Sequence, residues 1–211
     1  MKDTTKQQVK EIIRNFHLPR YYEIPNVGLY LEQTAKYISE YLEPLGDYTL
    51  TNSMISNYVK KGLVESPVKK QYNREQIAYL FFIAVAKSVL SLDALTGFIA
   101  LQKRTYSLET AYDFFCRQME SSLQMSCDLT DEIYMGQTEL TDEKQLLHSC
   151  IVAVTQKIYL EKCLEAIALR QPSGHQGTDG LCPPPFLLRI RCLPNRPWHH
   201  RSCLLCIDCL T

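Results

Sequence analysis

The fold is decided by one short stretch, Thr51-Asn-Ser-Met-Ile-Ser-Asn-Tyr-Val-Lys-Lys-Gly62. Thr51 and Asn52 are N-cap candidates, because their side-chain oxygens can accept hydrogen bonds from the free N–H groups of a first helical turn. Gly62 follows at the other end, where helices commonly stop at a left-handed residue. The stretch therefore predicts a helix of about three turns over residues 51–61.

The two faces of this helix differ in chemistry. Ile55 and Val59 lie four residues apart on an apolar face, and Met54 and Tyr58 flank them. The opposite face carries Ser53, Ser56, Asn57 and Lys60. Asn can pair with adenine, Ser can donate or accept a hydrogen bond, and Lys can reach guanine or phosphate. Surface helices with an inert polar face have the same pattern, so both interpretations stay open here.

A compact basic and aromatic segment follows the helix. Pro67 ends any helical continuation, and Lys69, Lys70, Tyr72 and Arg74 come before the next apolar run. Between residues 52 and 76, five cations against two acids give a local charge of +3, whereas 23 Lys and Arg balance 23 Asp and Glu overall. Phosphate contact needs such focused charge. The pattern predicts a minimal β wing over 67–74, and a solvated turn is the structural alternative.

Apolar spacing predicts further helices on both sides of this segment. An N-terminal helix over 1–16 is followed by an extended linker, since Pro19 and Pro25 lie within residues 17–27. The other predicted helices span 29–42 and 74–90, with two more on the apolar stripes 108–123 and 147–158. Glu43-Pro44 should end the helix over 29–42, and the strongly apolar helix over 74–90 should be core.

The order of these features resembles the DNA-binding domain of MerR-type regulators. The resemblance lies in residues 51–64, the Pro67 wing, Tyr72-Asn-Arg-Glu-Gln-Ile-Ala-Tyr-Leu80 and Ser91-Leu-Asp-Ala-Leu95. In those proteins a helix ending in Lys-Gly-Leu enters the major groove, and a wing followed by a Tyr-led helix holds the backbone. The motifs Leu29-Tyr-Leu-Glu-Gln33 and Ser53-Met-Ile-Ser-Asn-Tyr-Val-Lys60 are also similar to the bacterial domain-of-unknown-function family 1836, over roughly residues 15 to 170.

The resemblance implies an all-α fold, in which a MerR-like winged helix-turn-helix with a minimal β wing is followed by additional C-terminal helices. We expect an N-terminal helix and linker over 1–27, the winged domain over 28–102, and a helical region for dimerisation or sensing over 103–170. The tail, 171–211, lacks Lys, Glu and Tyr and holds six of the ten prolines. It is interpreted as an irregular appendage, either disordered or translated out of frame.

These features predict a sequence-specific regulator that binds double-stranded DNA. Helix 51–61 would read the major groove and wing 67–74 would contact phosphates, in a homodimer implied by the resemblance. The residues assigned to DNA contact are Ser53, Ser56, Asn57, Tyr58, Lys60, Lys61, Lys69, Lys70, Tyr72 and Arg74. A winged-helix module that binds a protein partner instead of DNA is the alternative function. The effector cannot be read from the sequence.

Other classes of function lack a supporting motif. There is no phosphate-binding Gly loop and no nucleophile elbow, and His17 and His148 are isolated, so we expect no enzyme and no cofactor. The start of the chain lacks the basic-then-apolar order of a secretory signal, which predicts a cytoplasmic protein without a membrane partner. Cys203-x-x-Cys206-x-x-Cys209 in the tail is an alternative metal site, although no metal is expected.

Overall fold

Helices dominate the part of the chain that the structure describes. This computed structural model describes residues 3–130, Tyr134 and residues 141–169. The elements are α1 (Asp3–Arg14), β1 (Leu29–Tyr30), α2 (Leu31–Leu42), α3 (Asn52–Lys60), β2 (Gln71–Tyr72), α4 (Arg74–Ala86), α5 (Leu92–Thr105), α6 (Leu108–Ser126) and α7 (Asp142–Ala168). The prediction of a helical fold with a minimal sheet is confirmed. The predicted tail and its cysteine motif lie outside the described residues.

Local signals set both ends of α3. The Thr51 hydroxyl oxygen accepts a hydrogen bond from the Met54 N–H at 3.2 Å, as expected of an N-cap. Gly62 has φ +73°, and the next N–H, that of Leu63, donates to the Tyr58 carbonyl at 3.0 Å. This is the Schellman arrangement that closes a helix on a left-handed residue. The predicted start and stop of this helix are confirmed to within one residue.

The start of α2 differs from the prediction. The apolar spacing predicts Leu29 and Tyr30 within the helix, but they form β1. This strand pairs antiparallel with β2, with Leu29 opposite Tyr72 and Tyr30 opposite Gln71. The partner strand lies about 40 residues further along the chain, so local periodicity could not reveal this pairing. As predicted, α2 ends just before Pro44, which lies in a short 3₁₀ turn.

The apolar helix α4 lies at the centre of the molecule. The Phe81 ring is fully buried, and its centroid lies 5.9 Å from both the Tyr37 and Tyr41 rings of α2. On its other side the Tyr112 ring of α6 lies 6.3 Å away. The prediction that this segment is core is confirmed, although the helix ends at Ala86 instead of Leu90. The cluster joins the predicted winged domain to the C-terminal helices.

The C-terminal helices pack with the N-terminal one. α6 and α7 lie against each other, and α1 packs on both. Both predicted apolar stripes face inward: the buried members are Tyr112, Phe115, Met119 and Leu123 on α6 and Leu147, Ile151, Val154 and Ile158 on α7. The described residues up to 169 belong to one compact unit, and the regions predicted as 1–27, 28–102 and 103–170 contribute to one continuous core.

The linker before β1 is fastened to α6 by an ion pair. The Arg20 guanidinium donates two hydrogen bonds to the Glu120 carboxylate, at 3.0 and 2.6 Å, and the Leu18 N–H donates a third at 2.8 Å. Burial acts to lower the pKa of Arg20, but the hydrogen bond and charge of Glu120 outweigh it and raise that pKa above its ordinary value. The Tyr21 N–H donates to the Asp113 carboxylate at 2.8 Å.

Removing the carboxylate at this point should destabilise the fold. Glu120→Ala leaves Arg20 and the Leu18 N–H without their shared acceptor, so we expect the free energy of unfolding in urea to fall by about 2 kcal/mol. Glu40→Ala is the matched control, since Glu40 pairs with Lys36 at 3.8 Å on the open surface. It should cost less than about 0.5 kcal/mol. Equal losses in the two variants would contradict this assignment.

Candidate nucleic-acid interface

The polar face of α3 is open to solvent. Ser53, Asn57 and Lys60 are exposed, and Lys61 extends the same surface beyond the last turn. Ser56 is partly buried, and its hydroxyl donates to a backbone carbonyl of its own helix at 2.8 Å. No acidic residue lies within α3, so the charged group on its polar face is the Lys60 ammonium. The buried side of the same helix is anchored by Ile55.

Two tyrosines predicted as DNA contacts belong to the core instead. Tyr58 and Tyr72 are each 4% exposed, and burial raises the pKa of both phenols. Tyr58 follows Ile55 at helical spacing on the inner face of α3, and Tyr72 faces inward from β2. Aromatic rings serve equally well as core or as contact residues, so residue type alone did not distinguish the two roles. Both are removed from the predicted contact set.

Arg74 holds the linker. Its Nε donates to the Ile24 carbonyl at 2.9 Å and its Nη2 donates to the Tyr22 carbonyl at 3.3 Å. The guanidinium also lies 5.6 Å from the Tyr21 ring centroid and 5.3 Å from that of Tyr22, which are cation–π distances. The hydrogen bonds occupy the edge of the guanidinium and the rings occupy its face. Arg74 therefore holds its end of the wing against the linker and is poorly placed to reach a ligand.

The wing contains a tight turn, and two lysines occupy the central positions of that turn. The Gln71 N–H donates to the Val68 carbonyl at 2.9 Å, and the residues between them, Lys69 and Lys70, have φ values of +51° and +66°. Two successive positive φ values define a type I′ turn, which favours Asn-Gly. Lysine adopts this conformation at a cost of about 1–2 kcal/mol per residue. Both side chains are exposed, so the turn presents two cations at that cost.

The wing and the start of α3 border a common surface. An open cavity of about 610 Å³ is lined by Asn52 of α3, Lys70 of the wing, and Glu32 and Gln33 of α2. Lys70 of the wing therefore lies near the start of α3, whereas Lys60 and Lys61 lie at the other end of that helix. Glu32 is the acidic group in this lining, and it lies on the first turn of α2, where the helix dipole favours negative charge.

The turn between α2 and α3 is held by distant elements. Tyr48 is buried, and the Lys157 ammonium of α7 lies 5.5 Å from the centre of its ring. Lys87, after α4, donates to the Thr49 carbonyl at 2.8 Å, and burial lowers the pKa of that ammonium. The chain turns at Gly46, whose φ of +108° is rare for residues with a side chain. No local sequence pattern revealed the contact of either lysine.

Comparison with known proteins identifies one family. Residues 19–115 match the family described as Domain of unknown function (DUF1836), which supports the family predicted from the sequence. The matched segment runs from the linker to the first half of α6 and is shorter than the predicted range of 15–170. No curated protein and no solved structure matches the chain.

The described part of the chain has neither a metal cluster nor a membrane-spanning helix. Within residues 3–130, Tyr134 and 141–169, no group of three or more His, Cys, Asp or Glu side chains could hold a metal ion. None of the helices described there has the length and apolar character needed to cross a bilayer.

The strained wing turn gives a stability test. Lys70→Gly should raise the free energy of unfolding by about 0.5 kcal/mol, because glycine adopts positive φ without the steric cost that lysine has there. Urea unfolding measures this change. Lys61→Gly is the matched control. Lys61 has φ −85°, so glycine relieves no steric cost there, and the free energy of unfolding of this variant should fall by about 0.5 kcal/mol. A loss of stability in Lys70→Gly would show that the turn is not strained.

Proposed function

We propose that the protein is a sequence-specific transcription regulator that binds double-stranded DNA, with α3 in the major groove and the wing on phosphates. One observation carries the proposal: α3, whose polar face is exposed, begins at the same open cavity that Lys70 lines, in a turn that holds two lysines in a costly conformation. Strained backbone of this kind concentrates at functional sites. A turn that served only to connect two strands would gain stability from glycine or asparagine at the same positions.

The dimensions of α3 suit the groove. Its nine residues span about 13 Å, and the major groove of B-DNA admits an α-helix. Ser53 and Asn57 lie one turn apart and would face base edges, whereas Lys60 and Lys61 lie at the end of the helix, within reach of phosphates. The residues that this proposal uses are Ser53, Ser56, Asn57, Lys60, Lys61, Lys69 and Lys70.

We also propose that the regulator is a homodimer formed through α7. Leu146, Leu160 and Ile167 are 52%, 59% and 46% exposed, and with exposed Ala153 they recur at intervals of seven residues. A seven-residue apolar repeat supplies one of the two positions, a and d, through which paired helices contact each other. This stripe lies beside the buried one that sequence analysis recognised. The repeat at 146, 153, 160 and 167 was the signal that could have revealed it.

The reading helix and the wing should respond differently to substitution. Asn57→Ala should weaken binding to the preferred duplex by about 1–3 kcal/mol and relax discrimination at one base, with little change on scrambled duplexes. Replacing Lys69 and Lys70 together by Ala should weaken all duplexes alike and reduce the slope of log affinity against log salt by about 2. The measurement is a salt titration of each variant on both duplexes, after the preferred site is selected from genomic fragments.

The matched control replaces Lys6 and Lys10 of α1 by Ala, which removes the same charge away from the wing and should leave the salt slope unchanged. The assignment of helix and wing is wrong if Asn57→Ala keeps the base preference while the double wing variant alters it. Absence of duplex binding at low salt, with a salt-insensitive protein complex recovered instead, would favour the protein-binding alternative.

The dimer should depend on the exposed stripe of α7. We expect Leu160→Glu combined with Ile167→Glu to convert a dimer into a monomer in sedimentation at micromolar concentration, because four carboxylates would meet across the shared face. Val27→Glu, at a 72% exposed position in the linker, is the control and should leave the mass unchanged. A two-fold dimer also requires an inverted-repeat site. A wild-type monomer, both free and on DNA, would refute the proposal.

A further inference from the structure

A cleft opens where α5, α6 and α7 meet. Its volume is about 280 Å³, and its walls include Phe98 of α5, Phe114 of α6 and Leu147 of α7, with Tyr106 in the turn before α6. A smaller hollow of about 50 Å³ lies next to it and shares Phe98, Leu147 and Ala111 as walls. The two spaces together form an apolar cleft that extends from the surface towards the core.

Two polar side chains of the cleft, Gln102 and Tyr106, have hydrogen-bond partners in the protein. The Gln102 side chain donates to the Tyr106 carbonyl at 2.9 Å and accepts a hydrogen bond from the Tyr79 hydroxyl at 2.9 Å. The Tyr106 hydroxyl shares a hydrogen bond with the Thr141 hydroxyl at 3.1 Å. Because these groups already have partners, a molecule in the cleft would meet mainly ring faces, ring edges and aliphatic carbon. Ligand sites are commonly concave and apolar in this way.

The charges at the cleft cancel. Glu143 and Lys144 lie side by side on the first turn of α7 and both line the cleft. The Lys144 ammonium lies 5.8 Å from the ring centroids of both Tyr106 and Phe114, at cation–π distance. An anionic ligand would meet the Glu143 carboxylate as well as the Lys144 ammonium, and a cationic ligand would compete with that ammonium for the same rings. A neutral molecule meets neither penalty.

We propose that this cleft binds a neutral aromatic small molecule of about two fused rings. The size follows from the volume, since a dry apolar cavity of roughly 150 Å³ holds one benzene ring. Aromatic side chains favour an aromatic occupant, because ring edges and faces pair at offset or perpendicular angles. The proposal concerns a binding site that does not depend on DNA binding, and the protein alone tests it.

Indole is the probe, with indole-3-acetate and tryptamine as charged counterparts of the same ring system. Saturating indole should raise the Tm of the full chain by about 5 °C, and it should do so at lower concentration than either charged molecule. Ala111→Phe fills the cleft from α6 and should abolish the shift. Thr105→Trp blocks it from an exposed position and should do the same without burying new volume.

Ala100→Phe is the matched control. Ala100 is exposed on α5 away from the cleft, so this variant should keep the full indole shift. The proposal is overturned if indole leaves the wild-type Tm unchanged. It is also overturned if both blocking variants keep the shift, because the probe would then bind elsewhere, for example on the exposed face of α7. Tighter binding of tryptamine or indole-3-acetate than of indole would overturn the neutral class of ligand.

Discussion

The buried ring of Phe81 is the contact on which the rest of the structure depends. It meets Tyr37 and Tyr41 on one side and Tyr112 on the other, so α2 and α6 are fixed to the same helix. Burying such a ring stabilises a fold by about 1.5–3 kcal/mol, and each aromatic pair adds about 0.5–1.5 kcal/mol. The helices that carry the candidate interface and those that line the apolar cleft are therefore parts of one packed body.

This packing determines where the polar face of α3 lies. Ile55 and Tyr58 bury one side of the helix, and the turn before it is held by Lys157 against Tyr48 and by Lys87 on the Thr49 carbonyl. These contacts come from α7 and from the end of α4. A short helix of nine residues has little stability by itself, so its orientation depends on such distant contacts.

In the wing, two exposed cations are held at a cost in stability. Its two lysines occupy left-handed positions that favour glycine or asparagine, and neither side chain is buried. Arg74, the last residue of the wing, instead directs its hydrogen bonds at linker carbonyls. The three cations of the wing therefore have two roles. Lys69 and Lys70 are exposed at the turn, whereas Arg74 holds the segment against the linker.

The sequence by itself determined the elements that local signals specify. Thr51 and Gly62 bound α3, Pro44 follows the end of α2, and the apolar periods of α4, α6 and α7 predicted their buried faces, because caps and periodicity act within a few residues. The tertiary structure alone decided that Tyr58 and Tyr72 are core and that β1 pairs with β2. It also brought α5, α6 and α7 together around a cleft. All of these contacts join residues far apart in the chain, and no local pattern determines which partner each side chain meets.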